Sequence, residues 1–354
     1  MSSSRLEVVA LPLPPHLRNR LLAAGFSTVA DLERAGGPVG LARETGLSPE
    51  EAHEVLELAG AAGGPAVAGS DWRAGTVSAA DLLASAAATP PIVTMCRELD
   101  ELLGGGVSSG QVTEFCGMPG VGKTQLGMQL AINAQLPRDL GGPEGQAVYI
   151  DTEGSFMAER CADFADGAVR YVQSMADQQA ALGRPELLQL QPGGERPVTL
   201  ESLMRGIYLF RVHDHTEQLG LVNLLPRFLA QYPQVRLVVI DSVTFHFRQD
   251  FPDMAQRTRV VTGMAQQLIS LAQTYGVAVV LMNQVTTKVL EGGGSKLVPA
   301  LGESWGHAAS TRVMLTWGPD NERHAQLIKS PHLPPGDAAF AVTADGVRGL
   351  PRRR

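Results

Sequence analysis

The octapeptide Gly117-Met118-Pro119-Gly120-Val121-Gly122-Lys123-Thr124 constrains this chain more than any other stretch. It follows an apolar run of strand length, Gln111 to Cys116, and precedes Gln125 to Ile132, whose apolar spacing is helical. Strand, glycine loop, Gly-Lys-Thr and helix in that order make a phosphate-binding loop. Gly117, Gly120 and Gly122 let the backbone turn tightly and aim successive N–H groups into one concavity. The helix N-terminus adds the positive end of its dipole there. Lys123 reaches the outer phosphates, and the Thr124 hydroxyl is placed to ligate Mg²⁺.

Two acids stand where such a loop needs them. Leu237-Val238-Val239-Ile240-Asp241 is four apolar residues ending in a carboxylate. A buried strand delivers that acid at its carboxyl end, beside the loop, where Asp241 is expected to hold the Mg²⁺ hydration shell. Ala147-Val148-Tyr149-Ile150-Asp151-Thr152-Glu153 is a second such strand. ATP hydrolysis needs a group that orients a water in line with the γ-phosphate. Glu153 is the candidate, the alternative being a solvated loop glutamate. Val277 to Met282 ends in Asn283-Gln284. A strand-end amide senses the γ-phosphate or caps backbone groups, and the residues alone leave both open.

The chain of 354 residues has room for one large α/β domain and a small one. Apolar runs of strand length recur at Val112–Phe115, Ala147–Ile150, Tyr208–Val212, Leu237–Ile240, Val277–Met282, Arg312–Trp317 and Gln326–Ile328. Helical patterns such as Thr258–Thr274 separate most of them, which predicts a mostly parallel, twisted sheet covered on both faces. Ala338–Val342 and Val347 around Asp345-Gly346 predict an antiparallel hairpin at one edge. Residues 1–60 read as a small all-α bundle. Leu17, Leu21 and Leu22 share a helix face, and Ser27 starts a second segment that Gly36-Gly37-Pro38 ends. Ser48-Pro49-Glu50-Glu51 is a capping box. Such bundles touch nucleic-acid backbones or dock proteins; the absence of Lys and the plentiful Glu favour the second. Residues 61–90 read as a flexible linker with an interaction segment, 91–350 as the core and 351–354 as a basic tail.

A net charge of −7 argues against a globally basic nucleic-acid binder and leaves local basic loops open. No apolar run approaches the ~18 residues of a membrane span, and Met1 to Arg5 lacks a signal-peptide core. Cys96, Cys116 and Cys161 lack zinc spacing and read as reduced thiols of a cytosolic or nuclear protein.

Gly117–Thr124, Asp151 to Phe156, Leu237–Asp241, Asn283-Gln284-Val285, Ser330-Pro331 and Ala344 to Val347, in this order, resemble the RecA/RadA-family recombinase ATPases. The likeness covers residues from about 90 to 350. It is narrower still at Cys116–Leu126, Phe156-Met157, Val285–Lys288 and Leu297–His307, which look like the C member of the eukaryotic recombinase paralogues. The resemblance implies a RecA-like phosphate-loop ATPase core using ATP and Mg²⁺ in homologous-recombination repair. It implies assembly with sister paralogues on single-stranded or branched DNA, indirect support of the main recombinase, and residence in the nucleus with a cytoplasmic share. It makes Glu153 the catalytic glutamate, with Lys123 and Gln284 as its partners in catalysis. Gln284 couples the γ-phosphate to a DNA-facing loop at about Val285–Pro299. The nucleotide-contact set runs from Gly117 to Gln125, with Arg160 stacking on adenine and His307 facing nucleotide at a subunit interface. Arg248, Arg257 and Arg259 of a loop at Phe247–Arg259, and Lys288 and Lys296 beside Gly292-Gly293-Gly294, are the implied DNA contacts.

Two departures matter. Strand-exchanging members carry an acid before Ser-Pro, where this chain has Lys329. They carry Phe-x-x-Ala in the linker, where this chain has Val77-Ser78-Ala79-Ala80. Loss of the aromatic anchor removes much of the area that makes such a plug tight. Both changes disfavour a self-assembling filament and suit a subunit stacked in fixed order beside different partners.

Overall fold

The computed structural model describes residues 7–11, 13–63, 78–81, 83, 89–248, 251, 254–289, 294–302, 304–318 and 322–350. The chain divides into two compact units, Met1–Leu82 and Leu83–Arg354. Val77, Gly292, Gly293 and the tail 351–354 lie outside the described residues.

Among the described residues, the first unit includes helices α1 (Pro15–Ala23), α2 (Val29–Arg34), α3 (Pro38–Thr45) and α4 (Pro49–Gly63). They enclose a core that includes Val8, Leu17, Leu21, Leu32, Leu41 and Val55. Leu22 points outward at 40% exposure, unlike Leu17 and Leu21. The Ser48–Glu51 capping box is present, with Ser48 N–H donating to Glu51 and Glu51 N–H to Ser48 Oγ. The cap of α2 is Thr28 rather than Ser27. Gly36-Gly37-Pro38 does not merely end a segment. Pro38 opens α3, because a proline at the first helical position surrenders only an N–H that has no intrahelical partner.

The second unit begins with α5 (Arg97–Leu102) and β1 (Val112–Gly117), followed by α6 (Lys123–Asn133) and β2 (Gln146–Asp151). Then come α7 (Ala158–Ala181), α8 (Leu200–Arg205), β3 (Ile207–Arg211), α9 (His215–Gln231) and β4 (Val235–Asp241). They lead to α10 (Met254–Tyr275), β5 (Ala278–Asn283), β6 (Val285–Val289) and β7 (Ser295–Pro299). The last strands are β8 (Thr311–Trp317), β9 (Arg323–Lys329), β10 (Asp337–Thr343) and β11 (Gly346–Gly349).

Nine strands form one sheet in the order β11-β10-β9-β8-β1-β5-β4-β2-β3. The six from β8 to β3 run parallel. The antiparallel part is larger than the sequence predicts. It begins at β8–β9, where only residues 318–322 intervene, too few for the crossover a parallel return requires. Alternate residues feed two cores. Tyr149, Leu237 and Val239 face α6 and α7, whereas Val148, Ile150 and Val238 face α9 and α10. Burial on both faces explains why these strands read as continuous apolar runs.

Residues 285–299, expected as a mobile loop, contain a second sheet in which β6 pairs antiparallel with β7. β-branched residues on either side of a glycine run are a hairpin signal. Residues 254–259, expected in a loop, are the first turns of α10.

Candidate active site

The phosphate loop leaves β1 at Gly117, which has no room for a side chain: a Cβ there would lie 2.7 Å from the Leu315 carbonyl oxygen. Gly120 and Gly122 have φ of 80° and 107°, conformations that glycine adopts without strain. Met118 is about half exposed, Val121 is buried, and Lys123 opens α6. Lys123 Nζ donates to the carbonyls of Gly117 at 2.8 Å and Met118 at 3.0 Å. Burial pulls its pKa down, against the opposing pull of Asp241 and Glu153.

Asp241 ends β4, in register with Asp151 of the neighbouring β2. Its carboxylate accepts from Tyr149 Oη at 2.8 Å and from the Thr124 side chain. Burial raises its pKa despite those bonds, and the Glu153 charge adds to the rise. A buried carboxylate beside a hydroxyl and an ammonium fits a hydrated Mg²⁺. This ion commonly takes one or two carboxylates plus substrate phosphates rather than a protein cage. Among the described residues no cluster of three or more His, Cys, Asp or Glu could hold a metal by itself.

Glu153 is an exposed loop residue whose carboxylate is nonetheless engaged. Its Oε1 accepts from Ser242 Oγ and, at 3.1 Å, from Gln284 Nε2. The loop that carries it is wound on Asp151, whose carboxylate takes the N–H groups of Glu153, Ser155 and Phe156. Gln284 in turn accepts from Arg248. The two amides at Asn283-Gln284 have different partners. Asn283 turns inward to Glu114 and the Ala300 carbonyl, while Gln284 reaches Glu153.

The structure thus gathers Lys123, Thr124, Asp241, Glu153, Gln284 and Arg248 at the carboxyl ends of β1, β4, β2 and β5. Arg160 joins from the side. It bonds Gln125 at 2.8 Å and the Thr343 and Ala344 carbonyls, and lies 4.2 Å from the Phe164 ring centroid. Pro119 and Gly120 line the exposed rim of the loop.

The remaining expected contacts lie apart from this group. His307 is exposed at the end of the Ser304–His307 turn, and among the described residues no hydrogen bond joins it to the phosphate loop. Arg257 and Arg259 lie on α10; Arg259 Nε donates to the Ala255 carbonyl within that helix. Lys288 and Lys296 face each other across the β6–β7 hairpin. Lys329 donates to the carbonyls of Gly306 and Ala309 at 2.8 and 2.7 Å.

Several participants were invisible in the sequence. Fully buried Glu114 on β1 accepts from Asn283, Trp305 at 2.8 Å and Arg312, tying the Trp305 turn to the sheet. Tyr149 and Arg323 also act through partners remote in the chain. A Glu inside an apolar strand was the one available signal, since a buried charge demands partners.

Fold and site define a phosphate-loop α/β nucleoside-triphosphate-binding protein. The Rad51 family model matches residues 88–181 and 193–350. The chain is 42% identical over 345 residues to "DNA repair protein RAD51 homolog 3" of Cricetulus griseus, covering 97% of this chain and 92% of that protein. It is 39% identical over 262 residues to the protein of the same name from Dictyostelium discoideum, covering 73% and 65%. It is 33% identical over 346 residues to "DNA repair and recombination protein RadA" of Aeropyrum pernix, covering 97% and 96%. This chain belongs to the Rad51 family, whose core is RecA-like.

Proposed function

We propose that this protein is a recombinase paralogue of homologous-recombination repair that binds ATP with Mg²⁺ and hydrolyses it slowly. The convergence of Lys123, Thr124, Asp241, Glu153 and Gln284 at one sheet edge carries this reading. The phosphates sit in the loop amides, with Lys123 exchanging its bonds to Gly117 and Met118 for phosphate oxygens. Thr124 and Asp241 hold the magnesium, which when bound neutralises charge on the phosphates. Glu153, aimed by Asp151 and tethered by Ser242 and Gln284, orients the attacking water. Arg160 supplies one wall for the adenine. Gln284 and Arg248 pass nucleotide state to the β6–β7 hairpin and the segment after β4, where Arg248, Lys288 and Lys296 meet single-stranded or branched DNA, with Arg257 and Arg259 on the adjoining helix.

The names of the hamster and Dictyostelium relatives support placing this activity in DNA repair; the further reading is that it works in the nucleus, beside sister paralogues that assist the main recombinase. Lys329 supports a subunit of a mixed assembly rather than a self-filament. Its ammonium donates to the Gly306 and Ala309 carbonyls near His307, at the position where strand-exchanging members present an acid.

Binding and turnover of MgATP by two variants test the site. Lys123→Ala is expected to lose nucleotide affinity. Glu153→Gln is expected to keep affinity within a few-fold and to lose turnover by about 10²-fold or more, the usual contribution of a positioned base. Wild-type turnover in Glu153→Gln removes the base; undiminished binding in Lys123→Ala moves the nucleotide elsewhere.

A further inference from the structure

One cation near the phosphate loop has no part in the account above. Arg323, on β9, donates from Nε to the Val121 carbonyl at 3.1 Å. Its guanidinium lies 4.6 Å from the centroid of Trp317, the last residue of β8. A Cβ built on Gly122 would lie 3.3 Å from the same Nε, so side chain and loop are in contact. Burial lowers the pKa of Arg323, in keeping with a guanidinium that has exchanged water for protein.

The direction of that bond matters. In a trans peptide the C=O and the following N–H point in opposite directions. Holding the Val121 carbonyl toward the β8–β9 hairpin therefore turns the Gly122 N–H the other way, into the loop. The Val121 N–H is already committed to Met118, and the Gly122 carbonyl accepts from Leu126 inside α6. The Val121–Gly122 peptide is the plane left to set. At Gly122 the backbone is free to flip, since glycine occupies both signs of φ readily. A flip would put a carbonyl oxygen where phosphate oxygens need a donor.

We propose that Arg323 is a positioning residue of the nucleotide site, which clamps the Val121–Gly122 peptide with its carbonyl outward and its amide facing the phosphates. Trp317 is the support that fixes the guanidinium's plane, a stacking that a lysine cannot reproduce. The inference rests on the nucleotide reading and adds to it a residue more than 200 positions from the loop in sequence.

The test uses the full chain, with MgADP and adenosine as probes in calorimetry. The amide that Arg323 orients meets phosphate, not base. Arg323→Ala is expected to weaken MgADP by about tenfold, the scale of one hydrogen bond to a charged group, with adenosine unchanged. Arg323→Lys keeps a donor for Val121 without the stacking and should recover only part of the loss. Trp317→Ala should weaken MgADP by about threefold, as an exposed cation–π support would. MgADP binding in Arg323→Ala equal to wild type overturns the proposal. So does an equal loss of adenosine and MgADP, which marks a general structural role. Should Arg323→Ala not fold, Trp317→Ala decides: selective loss of MgADP supports the clamp and unchanged affinity overturns it. Failure of wild-type protein to bind MgADP removes the nucleotide reading beneath the proposal, and the proposal with it.

Discussion

Asp100 illustrates how a single side chain carries a pH dependence that its neighbours in sequence do not announce. Thr94 N–H donates to its Oδ1 at 2.6 Å, yet burial dominates and pushes the carboxyl up from 3.8 to about 6. A raised carboxyl favours the proton-bound folded state. Its contribution to stability is therefore complete below about pH 4 and is lost as pH rises through about 6. Asp100→Asn keeps an oxygen for Thr94 and removes the titration. The variant should gain on the wild type as pH climbs from 4 to 7, reaching about 1–2 kcal/mol after allowance for partial solvent contact. Urea midpoints at pH 4.5 and 7.5 measure this, and a constant difference between the two pH values would count against it. At this scale the placement of Lys123, Thr124, Asp241 and Glu153 was legible, since local order alone puts them at a loop or strand end. That of Tyr149, Glu114 and Arg323 was not. Tyr149 meets Asp241 from 92 residues away and Arg323 meets Val121 from 202.

Among elements, the β6–β7 hairpin departs most from the expectation of a loose loop. Lys288 and Lys296 occupy opposed positions in its register. Like charges placed so destabilise a strand pair, and a phosphate between them relieves the repulsion. If this ribbon meets single-stranded DNA, replacing both lysines by Ala should lower the slope of log affinity against log salt by about 1.4, at roughly 0.7 per phosphate contact. A salt titration by fluorescence anisotropy reads it, and an unchanged slope would place the DNA on another surface. The mistaken loop has a physical cause. Glycine runs are equally compatible with a tether and with the turn of a hairpin, and only pairing of the flanking residues separates the two. The same ambiguity hid α3, where Gly36-Gly37-Pro38 signals both an end and a beginning.

For the whole molecule the division at Leu82/Leu83 has a direct consequence. The described nucleotide-site residues all belong to the second unit, and the first has its own core. Leu21→Ala, at a fully buried position of that first core, should cost its unit about 2–5 kcal/mol. Saturating MgATP should stabilise only the second unit, by linkage. Thermal unfolding of the full chain should then resolve two transitions, one lowered by Leu21→Ala and the other raised by nucleotide. A single transition moved by both would mean that the units unfold together.

Sequence by itself determined the phosphate loop, the carboxylates that end β2 and β4, the two-sided parallel core and the existence of a separate helical unit. Each of these is written in a local pattern: glycine spacing, an acid closing an apolar run, or a periodicity. Tertiary structure alone decided which strands run antiparallel beyond β8. It also decided which amide at the end of β5 reaches Glu153, and what holds Glu114 and the Val121 carbonyl. Those outcomes depend on which segments of a long chain become neighbours, and the burial of a polar group forces a partner without saying where along the sequence that partner lies.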